Sequence, residues 1–497
     1  MSLMQPQHWP GPAQWLLAFA LGALGVLAFA PFHLGLLAVF APALWLHLVW
    51  HVPRTAAAAR LGYAFGLGLL GFGVFWLRIS IDQFGGVSTP LAIAFTLLFV
   101  ALIALYFALA AALMHRLARA HGKLMFMLLI APLSWLLVEW LRGWLFTGFP
   151  WLSLGYSQLD LPLAGFAPLI GVFGVGALVI FSAGLLNLWR RAWPSVVLLA
   201  LWASGLGLSW LDWSEPAGKP FTASLVQGNI AQEDKWRRSM FEPTLALYRS
   251  LSAQARDSQL VIWPETAIPG FEQELEHSVL APLHQQMRGE GRDLLTGIVA
   301  GQRGDAYYNA MISLGESGRG AYHKRHLVPF GEYFPLQAVI GPVLDFLKIP
   351  MSNFSVGVDR KPLISLAGYQ AGIDICYEDA FAGEVMRALP EAHFLVNASN
   401  DAWFGDSLAP HQHLQIARMR ALESSRYLLR ATNTGISAII DQRGEIRGLA
   451  PQFQQMLLSG QVQPLQGMTP YARWGDTPLV VLAGLLLLML WRRGRSA

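Results

Sequence analysis

Over the first 211 residues the chain alternates long apolar stretches with short polar clusters. The apolar stretches run roughly 17 to 26 residues, enough to cross a hydrocarbon layer of ~30 Å as helices. Seven spans are expected between about Trp15 and Leu211. An eighth is expected over Thr477 to Trp491, short but anchored by Arg473 and Trp474 before it and by Trp491, Arg492 and Arg493 after it. The triplet Ala28-Phe-Ala30 is not expected to be a cleavage site, since no charged stretch precedes it and more spans follow.

Beyond Pro220 the period changes. Short β-branched or apolar runs, separated by turns and amphipathic stretches, predict strands at Ala223–Gln227, Leu260–Trp263, Leu294–Val299, Ala310–Leu314, Ala371–Ile375, Phe394–Asn397 and Ile436–Ile440. Helices are predicted over Glu242–Ala255, Phe271–Met287 and His411–Leu429. Roughly 250 residues of this kind can bury one core as a single mixed α/β or α+β domain with helices covering its sheets. The division expected is 1–211 for the first seven spans, 212–474 for the polar domain, and 475–497 for the last span and tail. No internal repeat stands out.

Composition agrees with membrane insertion: 54% of residues are hydrophobic, 13% are charged and 19 are Trp, outside the usual range for a soluble chain. The cations give an orientation. Arg54 and Arg60, Arg116, Arg119 and Lys123, Arg190 and Arg191, and Arg492, Arg493 and Arg495 all fall on one side, which the positive-inside rule makes cytoplasmic. Both termini are then cytoplasmic and the polar domain lies outside. The net charge of +4 follows from this topology, and no nucleic-acid footprint accompanies it.

Three polar residues end or follow apolar strands of the outer domain, where a scaffold can hold reactive groups. Glu265 follows Val261-Ile-Trp-Pro264, Lys324 lies in Ala321-Tyr-His-Lys-Arg-His326, and Cys376, the only cysteine, follows Ile373-Asp-Ile375. A carboxylate that takes a thiol proton, a thiolate that attacks an acyl carbon and an ammonium that holds the oxyanion make a set suited to acyl transfer. Each residue also has a plainer reading: Cys376 as a small buried hydrophobe, Glu265 as a cap or turn residue, Lys324 as part of a solvated basic face. His411 and His413 lack the further Cys or acidic ligands that a metal site needs, so no metal is expected. Asn309, Asn397 and Asn400 read as turn and sheet-end residues.

Taken in order, Trp263-Pro-Glu-Thr266, Tyr322-His-Lys-Arg-His-Leu-Val-Pro-Phe-Gly-Glu332 and Gly372-Ile-Asp-Ile-Cys-Tyr-Glu378 resemble the nitrilase superfamily. That resemblance implies a Glu-Lys-Cys triad on a four-layer αββα sandwich. With the eight spans, and with Thr147-Gly-Phe-Pro-Trp-Leu152 and Gln227-Gly-Asn-Ile230, the whole chain resembles the bacterial apolipoprotein N-acyltransferase family. The fold class implied is an α+β membrane protein, eight transmembrane helices with the sandwich inserted between the seventh and eighth. The implied reaction moves an acyl chain from a phospholipid, preferentially the sn-1 chain of phosphatidylethanolamine, through a Cys376 thioester. The acceptor is the N-terminal amine of a diacylglyceryl apolipoprotein, and no cofactor is needed. Glu265 is then general base and Lys324 the oxyanion partner. Glu332 and Glu378 support them, and the Tyr377 backbone N–H is a second oxyanion donor. Trp236, with apolar residues of Phe330 to Phe354, is expected to contact lid or acyl chain, and Glu139 and Arg142 to pair at the lipid entrance. The enzyme is expected to be a monomer of the bacterial inner membrane with its catalytic domain in the periplasm.

Overall fold

The computed structural model describes residues 11–302, 305–333, 353–359 and 361–496. Among them, five helices are long and apolar enough to cross a membrane: Thr55–Gly73, Thr89–Ala118, Lys123–Arg142, Pro162–Leu186 and Thr477–Gly494. Three shorter apolar helices, Pro12–Ala28, Leu37–His51 and Trp193–Leu208, accompany them. Small residues set how closely the helices pack. A Cβ on Gly22 would lie 2.0 Å from the Phe65 carbonyl oxygen, and one on Gly68 2.0 Å from that of Phe19, so glycine on each side lets the two backbones meet.

The chain divides into two units. The first gathers the described residues of Met1–Arg78, Ser88–Leu211 and Arg473–Ala497, and the second Ile79–Val87 and Asp212–Ala472. The nine residues Ile79–Val87 are therefore part of the second unit although the helical segments flank them. They are held there by Ser80 Oγ, which donates to the Trp403 carbonyl at 2.7 Å, and by the Phe84 ring, edge-on to Trp403 with centroids 4.9 Å apart.

Two six-stranded sheets form the second unit. One runs β13 (Met456–Val462), β2 (Phe221–Gln227), β3 (Leu260–Ile262), β4 (Asp293–Ala300), β5 (Tyr308–Gly315) and β6 (Gly320–His323). The other runs β7 (Leu363–Leu366), β8 (Tyr369–Ile375), β9 (Phe394–Ser399), β10 (Leu428–Thr432), β11 (Ala438–Ile440) and β12 (Ile446–Leu449). A short ribbon pairs β1 (Glu215–Pro216) with β14 (Leu465–Gln466). Taken from β13 and from β7, both sheets show the same order of pairings: antiparallel, parallel, parallel, antiparallel, antiparallel. The pairing pattern thus repeats where the sequence shows no repeat.

Period-2 alternation explains the layering. Leu260 and Ile262 of β3 enter one apolar cluster with Ile373 and Ile375 of β8 and Val396 of β9, so the sheets face each other there. Val261, on the other face of β3, packs with Leu245 and Leu283 of the helices behind. Leu395 and Leu428 pack outward in the same way against Leu414 and Ala417 of helix Leu408–Ser424. Each buried Leu, Ile or Val contributes about 1.5–3 kcal/mol of hydrophobic transfer, and such residues, with alanines and a few aromatics, make up the inter-sheet cluster. One predicted helix ends early. It stops at Ser424 because Ser425 takes φ +52°, and Leu428 onward is the buried strand β10.

Candidate active site

The three sequence-predicted residues lie just past strand ends: Glu265 after β3, Lys324 after β6 and Cys376 after β8. Gly297 makes room for the first. A Cβ there would come 2.2 Å from the Thr266 nitrogen, so β4 needs glycine where the Glu265 turn crosses it.

Lys324 is 1% exposed. Its Nζ donates to Glu332 Oε1 at 2.9 Å and lies 3.6 Å from Glu265 Oε1. Asn309 Nδ2 joins the two carboxylates, donating to Glu265 Oε1 at 2.7 Å and to Glu332 Oε1 at 2.9 Å. The second Glu332 oxygen accepts from the Val328 N–H at 2.8 Å. Burial alone lowers the Lys324 pKa, but Glu332 and Glu265 more than reverse it, and the ammonium is held above its ordinary range. It is a permanent cation.

Cys376 is buried, with φ +53° between the last residue of β8 and the turn Cys376–Ala380. That left-handed backbone is uncommon outside glycine and turns the residue off the strand direction. Burial, then the negative field of Glu265, pushes the thiol well above its ordinary value, while Lys324 pulls it down. At rest it is a neutral thiol that needs a base.

Glu378 fixes the turn. Its Oε1 accepts from the backbone N–H groups of Arg325 (2.8 Å) and His326 (3.0 Å), its Oε2 from that of Ile375 (2.7 Å), and Tyr322 Oη donates to Oε1 at 2.9 Å. One fully buried carboxylate thus ties the segment carrying Lys324 to the segment carrying Cys376. Tyr377 is half-buried, with its ring edge-on to Phe381. Trp236 is 40% exposed at the end of the helix Gln232–Lys235.

Glu139 and Arg142, expected at the lipid entrance, are only 3% and 2% exposed. They form the expected pair, with Arg142 Nη2 3.8 Å from Glu139 Oε1, line a cavity with Tyr106, Phe107 and Trp135, and send their hydrogen bonds to the 149–154 turn. Arg142 Nη1 donates to the carbonyls of Phe149 (2.6 Å) and Trp151 (2.7 Å), and the Leu154 N–H donates to Glu139 Oε1 at 2.8 Å. The pair and the Thr147–Leu152 motif are one device. The expected lid stretch Phe330 to Phe354 falls largely on 334–352, outside the described residues.

Several site residues escaped the sequence. Asn309 is one; a second is Lys235, 4% exposed, whose Nζ donates to the Glu265 carbonyl oxygen at 3.0 Å. Others form a buried layer behind Cys376. His413 Nε2 lies 2.9 Å from Asp379 and 3.3 Å from the Cys376 carbonyl oxygen, and its Nδ1 lies 2.9 Å from Asp401. Arg430 bridges the same two aspartates at 3.3 and 2.9 Å. Asn397 Nδ2 donates to the Cys376 carbonyl at 3.1 Å. Among the described residues, no group of three or more His, Cys, Asp or Glu is arranged to hold a metal.

This arrangement, a base, a fixed cation and a thiol on one elbow, can form and break an acyl–sulfur bond. Comparison with known proteins narrows it. Residues 222–471 match the carbon-nitrogen hydrolase family, and residues 21–185 match the apolipoprotein N-acyltransferase N-terminal domain. Among solved structures, Saccharomyces cerevisiae Nit3, of branch 10 of the nitrilase superfamily, is similar at 18% identity with a TM-score of 0.38, covering 50% of this chain and 91% of that one. The apolipoprotein N-acyltransferase of Methylococcus capsulatus is 47% identical over 490 residues, 97% of each chain. That of Nitrosomonas europaea is 46% identical over 482 residues, 95% of each. With both halves matched and the likeness running nearly end to end, the chain belongs to the apolipoprotein N-acyltransferase family.

Proposed function

We propose that this protein acylates the N-terminal amine of diacylglyceryl apolipoproteins, with a phospholipid as donor and Cys376 as the acyl carrier. The observation that carries the reading is the lysine clamp: Lys324 held by Glu332 at 2.9 Å and set 3.6 Å from Glu265, with both charges acting on the Cys376 thiol. Glu265 takes the thiol proton. The sulfur attacks the donor ester carbonyl, and Lys324, with the Tyr377 N–H, stabilises the tetrahedral oxyanion. The C–O bond breaks and the proton passes to the departing lysophospholipid alcohol. In the second half the acceptor amine attacks the thioester, the C–S bond breaks, and Glu265 moves the amine proton to the sulfur.

A thioester is reactive enough for an amine to open without a nucleotide or coenzyme, which suits a site outside the cytoplasm. The reading takes phosphatidylethanolamine, through its sn-1 chain, as donor and the protein as a monomer of the bacterial inner membrane. It counts eight spans, with residues 212–474 between the seventh and eighth on the periplasmic side and both termini cytoplasmic. Trp236 then contacts an acyl chain, a role its exposure at the site edge supports.

Intact mass spectrometry after exposure to phosphatidylethanolamine tests this. A fatty-acyl adduct on Cys376, removed by hydroxylamine and transferred to a diacylglyceryl peptide, is expected. Release of free fatty acid with no peptide acylation would make the protein a hydrolase instead.

A further inference from the structure

Lys235 stands apart from the other cation of the site. Lys324 is locked to a carboxylate, whereas the side-chain ammonium of Lys235 donates to a backbone carbonyl, that of Glu265. Its position is built. Asn229 donates its N–H to the Asn433 carbonyl at 2.9 Å, the Ile230 N–H donates to Asn433 Oδ1 at 2.9 Å, and Asn400 donates to Gln232 Oε1 at 2.7 Å. These contacts seat the short helix Gln232–Lys235 against the site and put its last side chain under cover.

A buried ammonium needs compensating negative charge. The charges acting on Lys235 are Glu265 and the ionised form of Cys376. Those acting on Cys376 are Glu265, Lys324, Asp401 and Glu332, while Glu378 acts on Lys324 and Arg430 responds to Cys376. Asp401 is paired with Arg430, whereas Glu265 and Glu332 share the single cation Lys324, so those three groups carry one negative charge in excess before the sulfur ionises. The Lys235 ammonium, bonded to the Glu265 carbonyl, offsets it.

We propose that Lys235 is a second cation of the active site, one that offsets the carboxylate charge around Cys376 and stabilises negative charge on its sulfur during acyl transfer. Burial lowers the Lys235 ammonium to about 8, against the pull of Glu265 and Cys376, so it is still charged at neutral pH. The proposal deepens the acyltransferase reading and rests on it for the acyl step, but its effect on the thiol can be measured without any acyl donor.

Cys376 is the only cysteine, so alkylation of the full-length protein by iodoacetamide, followed by intact mass from pH 6 to 10, reports on it alone. Lys235→Gln keeps an N–H donor for the Glu265 carbonyl and removes the charge, Lys235→Met is a second neutral variant, and Lys235→Arg keeps the charge. Both neutral variants are expected to be alkylated about tenfold more slowly below pH 8, where K235R follows the wild type, and the gap between neutral variants and wild type should close above pH 8 as Lys235 loses its proton. Wild-type profiles in the neutral variants would overturn the proposal, as would an equal shift in K235R. Acyl-adduct formation from phosphatidylethanolamine is measured in parallel. If the wild type takes no acyl group but the alkylation profiles separate, the acyltransferase reading fails and the charge assignment stands.

Discussion

Asn309 donates to Glu265 at 2.7 Å through the same amide nitrogen that reaches Glu332 at 2.9 Å. One neutral side chain thus holds Glu265, the proposed base, at a fixed distance from the carboxylate that anchors Lys324. Hydrogen bonds to charged groups contribute about 1.5–3 kcal/mol each. Asn309→Leu is therefore expected to slow acyl-adduct formation by about 10- to 100-fold. Asn309→Asp should be slower still, because a third carboxylate makes Glu265 hold its proton. An N309D protein that forms the adduct at the wild-type rate would remove Asn309 from the machinery.

Glu378 satisfies three backbone N–H groups. Glu378→Gln presents an amide nitrogen where an acceptor is needed, and an unsatisfied buried donor costs about 1–3 kcal/mol. The expected outcome is a lower melting temperature together with a loss of acyl-adduct formation. Full melting stability with unchanged acylation would show that the two segments are registered by something else.

Burial and Arg430 lower the His413 imidazolium, but Asp379 and Asp401 more than reverse them and raise it to about 9. A histidine raised on folding adds stability that is complete below its unfolded value of about 6.5 and disappears as pH rises through about 9, a contribution of order 3 kcal/mol. Burial raises the Asp401 carboxyl, yet Arg430 and His413 bring it down to about 2, so its contribution is lost only as pH falls toward that value. His413→Gln should therefore melt well below the wild type at pH 6, and the gap should narrow by pH 10. A gap that does not change between those pH values would mean that His413 is neutral in the fold.

Arg142→Met leaves Glu139 buried without its partner and strips two carbonyls of their donor. Breaking a buried pair from one side costs about 3–5 kcal/mol, and thermal unfolding in detergent should show it. Glu139→Gln, which keeps an acceptor for the Leu154 N–H, should cost less. If R142M melts like the wild type but loses turnover with phospholipid, the pair guides lipid rather than holding the fold.

The placement of Glu265, Lys324 and Cys376 was legible because each stands in a local motif just past a strand end: Trp-Pro-Glu, His-Lys-Arg-His and Ile-Cys-Tyr-Glu. What surrounds it was not, because register and distant loops place it. Asn309 meets the site through β5, where its carbonyl accepts from the Lys324 N–H at 2.8 Å; alone it looked like a turn residue. Lys235, in the polar run Gln232-Glu-Asp-Lys235, looks solvated, but its ammonium is buried against the Glu265 carbonyl, and the loop before it is seated by Asn433, two hundred positions on, through the Ile230 N–H. His413 stands two residues from His411, a spacing that gives no hint of its partners Asp379 and Asp401, which meet it on a helix.

The segment Ile79–Val87 gives the chain a practical property. The polypeptide passes between the two units four times, at 78/79, 87/88, 211/212 and 472/473, so the catalytic unit is not one continuous stretch of sequence. A chimera that swaps only residues 212–472 with those of a relative would set a foreign Trp403 turn against a native Ser80. Domain exchange in this chain has to carry the nine-residue segment along with the part that it serves.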